Sequence, residues 1–144
     1  MAGGKGSTFD NDLLKLIFNG VAIAGIADNA ASAPLTALFL SLHTADPGVG
    51  GGQTTNEAAY GGYTRMPVTR NPGGFAVSGN AVTLTAAIIF PTASSGSENE
   101  TYAAVGTTVT GSGKILYRGP ITPTLNITTG IAPQLTAGTT ITES

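Results

Sequence analysis

The stretch Leu38-Phe39-Leu40-Ser41-Leu42-His43-Thr44-Ala45-Asp46-Pro47-Gly48 constrains the fold more than any other part of the chain. Leucine recurs at every second position and the run stops at an Ala-Asp-Pro-Gly turn. Side chains two apart in a strand point to the same side of the sheet, so Leu38, Leu40 and Leu42 predict a strand with one face in a core. Pro47 fixes its own φ and Gly48 admits the left-handed region, so the chain can reverse there. A nearly chargeless loop over 48–57 follows, and no chemistry is attached to either segment.

Beyond this block the text is mostly of the same kind. Thr64, Met66 and Val68 alternate with Tyr63, Arg65 and Pro67, and Pro67 lacks a donor, which predicts an edge strand or a bulge. Phe75–Val77 and Ala81–Thr85 flank a Ser-Gly-Asn turn and predict a hairpin. The polar run Thr92–Thr101, with Glu98 and Glu100, reads as a surface loop. Tyr102–Thr110, Lys114–Arg118, Ile121–Ile127 and Ile131–Thr142 read as four further strands, divided by Gly111-Ser112-Gly113, Gly119-Pro120 and Thr129-Gly130. Short strands at such spacing, joined by long crossing loops, predict a mainly β fold: a jelly-roll-like antiparallel β-sandwich over 35–144.

One helix precedes it. Ser7 or Thr8 can cap it, Asp10 and Asp12 lie near its positive end, and Asn19-Gly20 suits its C-terminus. Phe9, Leu13, Leu16 and Ile17 fall at i, i+4, i+7 and i+8 and predict one apolar face, which Leu14 and Phe18 widen. Residues 1–34 are therefore expected to form a flexible arm over 1–8, this short N-terminal helix, and an Ala-rich connection over 20–34 with a short strand and a loop. The helix would pack on the sandwich or on a neighbouring subunit.

With 144 residues the chain can bury roughly 68–70% of its unfolded surface and fold without staples. Charged residues are only 10%, against about 25% in an ordinary soluble domain. Such a surface fits a protein largely covered by neighbours. The six basic residues are scattered and the net charge is −2, which argues against a nucleic-acid groove. The absence of cysteine excludes disulfides and thiolate metal sites. The longest apolar run, Val21–Ala27, is far too short to span a bilayer, and Met1–Gly6 lacks the apolar core of a signal peptide, so synthesis in a host cytoplasm is expected.

Candidate chemistry is sparse. His43 is the single histidine, which argues against a His-based dyad or a multi-His metal site and for a structural hydrogen-bonder. Gly3-Gly4-Lys5-Gly6-Ser7-Thr8 fails the phosphate-loop pattern, because no strand precedes it and Lys5 is followed by glycine. Glu98, Asn99 and Glu100 match no calcium-loop spacing and read as solvated. Tyr60, Tyr63, Arg65 and Arg70 form one aromatic-plus-arginine cluster. Such residues are favoured at partner interfaces, and equally Tyr63 could pack at the sheet edge with both arginines in solvent. No cofactor, metal or catalytic residue is expected, and the chain reads as a non-enzyme.

Leu40-Ser41-Leu42-His43-Thr44-Ala45-Asp46-Pro47-Gly48, then Gln53-Thr54-Thr55-Asn56-Glu57-Ala58-Ala59-Tyr60, Gly62-Tyr63-Thr64-Arg65 and Gly113-Lys114-Ile115-Leu116-Tyr117-Arg118-Gly119, together with the opening helix, resemble small virion proteins of short-tailed bacteriophages. Members are often labelled tail-fibre proteins, and the closer match is to capsid cement, or decoration, proteins. The resemblance implies a protein on the outer capsid surface that binds the major capsid protein, bridges capsomers and stabilises the DNA-filled head. Weak contacts suffice when many copies act on one shell. A homodimer is the expected unit, with a trimer as the alternative. Contacts are expected at the arm, at Phe9, Leu13, Leu16 and Ile17, at Tyr60, Tyr63, Arg65 and Arg70, at the 48–57 loop and at the C-terminal segment. The alternative placement is a tail-fibre or baseplate structural or receptor-binding protein.

Overall fold

The computed structural model describes residues 7–23 and 34–143. The expected arm lies outside the described residues except for Ser7 and Thr8, as does most of the Ala-rich connection. The elements run α1 (Ser7–Leu14), a π-helical turn (Lys15–Asn19), β1 (Ala37–His43), β2 (Met66–Thr69), β3 (Phe75–Ser78), β4 (Ala81–Leu84), β5 (Ile88–Ile89), β6 (Ser97–Gly106), β7 (Ile115–Thr128), β8 (Gln134–Leu135) and β9 (Thr140–Thr142). The chain is mainly β with one short N-terminal helix, as its sequence predicts. A jelly roll places eight strands in two sheets; here the described strands form sheets of four, three and two. No described helix is long and apolar enough to cross a membrane.

The strands and helix fall into two compact units, neither of them one continuous stretch. The first comprises residues 1–36, 69–86 and 136–144, and the second 37–68 and 87–135. In the first unit β3, β4 and β9 form an antiparallel sheet in that order. Only Gly79 and Asn80 separate Ser78 from its partner Ala81, and Gly79 has φ +60°, the conformation a type II′ hairpin reserves for glycine. Phe75 faces Leu84 and Val77 faces Val82, so apolar side chains share one side of the sheet.

The helix buries a different edge from the one its spacing suggests. Leu14 and Phe18 are wholly buried, whereas Phe9 is 41% exposed and Leu13, Leu16 and Ile17 are half-buried. The Phe18 ring meets that of Phe75 edge-on at 4.9 Å, and Asn19 Nδ2 donates to the Phe75 carbonyl at 2.9 Å. The α-helix widens into a π-turn at Lys15, so i, i+4, i+7 spacing no longer describes a single stripe across it. Arg70 donates from Nη2 to the Leu16 carbonyl and from Nε to the Ile17 carbonyl, both at 2.5 Å, and from Nη1 to that of Leu35 at 3.2 Å. A cation thus satisfies main-chain carbonyls in the last helical turn.

The second unit is built on the sheet β2-β1-β6-β7, with β5 and β8 as a separate pair. β1 is central, and from Leu40 to His43 both of its faces are buried. β2 lies at an edge with Pro67 exposed, which matches the expectation from its missing donor. Two sequence expectations are corrected here. The presumed surface loop becomes strand from Ser97 onward, because Glu98 and Glu100 turn inward while Ser97 and Asn99 face out. The expected strands Lys114–Arg118 and Ile121–Ile127 merge, from Ile115 onward, into a single strand, β7, that passes through Gly119-Pro120. Pro120 pairs with Tyr102 and Leu125 with Glu100, so four residues of β7 bulge opposite Thr101. β7 ends the sheet, where a proline interrupts no further ladder.

Candidate functional site

The polar chemistry of the second unit converges where the 44–65 segment lies against the sheet. That segment is tied down by the bridges His43 to Glu57, Gly52 to Lys114 and Gly61 to Ser95. Arg65 is only 4% exposed, and its guanidinium makes a two-pronged contact with Glu57, Nε to Oε1 at 2.6 Å and Nη2 to Oε2 at 2.7 Å. The same group donates to the carbonyls of Thr108 (3.1 Å) and Gly111 (2.8 Å) and to the Thr108 hydroxyl (3.2 Å). Its planar fork suits this bidentate geometry. Hydrogen bonding to Glu57 holds the Arg65 pKa above its ordinary value. Tyr63 completes the cluster, donating its hydroxyl proton to Glu57 Oε1 at 3.1 Å and accepting from the Leu42 N–H at 3.1 Å. Burial pushes its phenol well above the usual tyrosine range.

Gln53, fully buried, plays the equivalent part for the 107–113 turn. Its Oε1 accepts from the N–H groups of Thr107 and Thr108, each at 3.0 Å, and from the Thr108 hydroxyl at 3.1 Å. Gly106 makes room for it: a Cβ there would fall 2.1 Å from Gln53 Cδ.

Ser41 and His43, two apart on β1, hydrogen-bond through Oγ and Nε2 at 2.9 Å, and His43 Nδ1 lies 2.9 Å from the Thr55 carbonyl. A carbonyl only accepts, so Nδ1 carries the proton and the Ser41 hydroxyl donates to Nε2. Desolvation by burial lowers the His43 pKa and keeps the ring neutral. This is the nucleophile-and-base arrangement of a hydrolase in outline. Both side chains are 0% exposed, however, and the pair has no access to a substrate. Sequence reasoning discounted a His-based dyad; the signal was Ser41 at i−2 on the same strand face.

The residues expected to contact partners are used differently. Tyr60 and Arg65 are buried inside the second unit, and this corrects their assignment to a docking surface and also the alternative of a solvated Arg65. Tyr60 donates its hydroxyl to the Pro91 carbonyl at 3.1 Å and packs edge-on against Tyr63 at 5.4 Å. Burial chiefly, then the charges of Glu100 and Glu98, pushes its phenol up to about 12. Arg70 belongs to the first unit and holds helix carbonyls there, so the four residues do not form one cluster of shared purpose. Phe9, Leu13, Leu16 and Ile17 remain partly open.

At the surface, Gly48, Val49 and Ile115–Arg118 line an open groove of about 280 Å³. Arg118 Nε meets Asp46 Oδ1 beside it at 2.6 Å, and the Gly48 N–H is the main cause of the lowered Asp46 pKa. Among the described residues, no group of three or more His, Asp or Glu is placed to hold a metal ion. What the arrangement can do is fix loops to a sheet.

A family model described as podophage GP4 fiber I protein gp80 matches residues 6–143. None of the curated proteins compared with the chain matches it. The match covers nearly the whole length and agrees with the resemblance carried by the Leu-His-Thr-Ala-Asp-Pro-Gly block. The chain belongs to the podophage GP4 fiber I protein family and is a virion structural protein of a short-tailed phage.

Proposed function

We propose that this protein is a structural component of the phage tail-fibre apparatus, acting by occupying a place in an assembly without turning over a substrate. The observation that carries the reading is the fiber-protein family match over residues 6–143. It favours the tail placement over the expected capsid cement role, in which the major capsid protein would be the partner. The interior chemistry supports a scaffold: Arg65, Gln53 and the Ser41–His43 pair spend their polar atoms on the chain's own loops. Self-association as a dimer or trimer belongs to the same reading, since a sparsely charged surface is suited to being covered by copies and neighbours.

Imaging intact particles labelled with an antibody against the protein tests the placement. Label at the tail is the expected result. Label spread evenly over the icosahedral head would overturn the fibre assignment in favour of capsid cement.

A further inference from the structure

β6 carries Glu98 and Glu100 two residues apart, so both point to one face of the strand. Glu98 Oε1 accepts hydrogen bonds from the backbone N–H groups of Ala59, at 2.9 Å, and Tyr60, at 2.8 Å. One carboxylate therefore hooks the end of the 44–60 segment to the sheet. The next residues continue the attachment, because the Gly61 N–H bonds the Ser95 carbonyl and the Ser94 N–H bonds that of Gly61, each at 2.9 Å. Glu100 is 0% exposed, and the interaction that its carboxyl group has among the described residues is with the neighbouring Glu98 carboxyl, by charge and by a side-chain hydrogen bond that holds only while one of the two is protonated.

An ionised carboxylate in that position has lost its water and gained nothing in return. The charged group that acts on it is Glu98 from its own strand, and the titratable Tyr60 of the hooked segment, itself pushed up by the Glu100 charge, stays neutral where Glu100 titrates. Among the described residues no cation offsets the charge there, in contrast to Glu57 with its arginine.

We propose that Glu100 is a proton-operated latch: protonated, it leaves Glu98 free to hold the Ala59–Tyr60 backbone, and ionised, it forces the two carboxylates and the hooked segment apart. The step is a simple loss of the Glu100 proton to solvent. Burial first, and then the Glu98 charge, pushes the Glu100 carboxyl up to about 8 from an ordinary 4.5. Since the folded state holds this proton more tightly than the unfolded chain, the contribution to stability is fully present below 4.5. It declines as pH rises and is gone above about 8.

The test is an NMR titration of the full chain with carboxyl-labelled glutamate, read alongside hydrogen-exchange protection of the Ala59 and Tyr60 amides. The Glu100 carboxyl should titrate near 8, and protection of those two amides should fall by about tenfold or more through the same midpoint. Amides of the β1–β6 ladder should keep theirs. Glu100→Gln preserves the shape and cannot ionise, so it should retain protection into the alkaline range. Glu98→Gln removes the repelling charge and should lower the Glu100 midpoint. A Glu100 midpoint near 4.5, equal protection on both sides of pH 8, or the same alkaline loss in Glu100→Gln would overturn the proposal. Should the variants fail to fold, the titration of the parent protein decides alone.

Discussion

Replacing Arg65 by methionine strips Glu57 of both its charged hydrogen bonds while leaving its carboxylate largely enclosed, with 15% of the side chain exposed. Glu57 Oε1 keeps only the Tyr63 hydroxyl, and the Gly111 carbonyl loses the 2.8 Å bond from Nη2. Removing one partner of a buried, hydrogen-bonded ion pair costs about 3–5 kcal/mol, because the other charge stays behind. Glu57→Gln should cost less, about 1–3 kcal/mol, since Arg65 retains the carbonyls of Thr108 and Gly111 and can still donate to the amide oxygen. The double variant carries neither charge, so its loss should fall short of the sum of the single losses by about 1–3 kcal/mol. Urea unfolding followed on backbone amides of β1 and β6 reads the second unit specifically. An Arg65→Met variant within about 0.5 kcal/mol of the parent, or strictly additive losses, would refute the claim that this pair is a closed internal clamp.

Three further outcomes follow from the same geometry. Phe18→Ala should destabilise the first unit by about 3–5 kcal/mol, because Phe18 is wholly buried against Phe75, whereas Leu16→Ala should cost clearly less; denaturant midpoints followed on β3 and β4 amides compare the two. His43 has a lowered pKa when folded, so the unfolded chain takes up a proton first as pH falls through 6.5, and stability should drop on acidification below that value. His43→Gln should flatten this acid slope in melting curves recorded across pH. Gly106→Ala places a methyl group where Gln53 sits and should displace that side chain, exposing the Thr107 and Thr108 amides to faster hydrogen exchange and lowering the melting temperature.

The strand class, the Gly79-Asn80 hairpin, the edge position of Pro67 and the end of the helix at Gly20 were legible in the sequence because each follows from local conformational rules. The misreadings share a cause. Ser97–Thr101 looks like a loop because it is polar, yet two backbone amides on a distant segment draw Glu98 inward. Gly119-Pro120 looks like a break because neither residue favours a strand interior, yet the outermost strand of a sheet tolerates both. Tyr60 and Arg65 look like docking residues because such side chains are common at interfaces, and what decides their burial is a carboxylate at position 57 and main-chain carbonyls near residues 91 and 108. None of these partners is visible at short range in the chain. The helix edge was misjudged for a subtler reason, a π-turn that periodicity assumes away.

The clamps in the second unit share an asymmetry with an evolutionary consequence. His43, Gln53, Arg65 and Glu98 reach out with particular side chains, whereas Thr55 answers with a carbonyl that any amino acid can supply, and Ala59 and Thr107 with N–H groups that every amino acid other than proline can supply. Drift should therefore fall unevenly across relatives of this protein, freezing the reaching positions while letting the answering ones change wherever their own side chains carry no second duty. At Ala59, whose side chain is exposed, a lineage can rewrite the surface of this unit without loosening its interior.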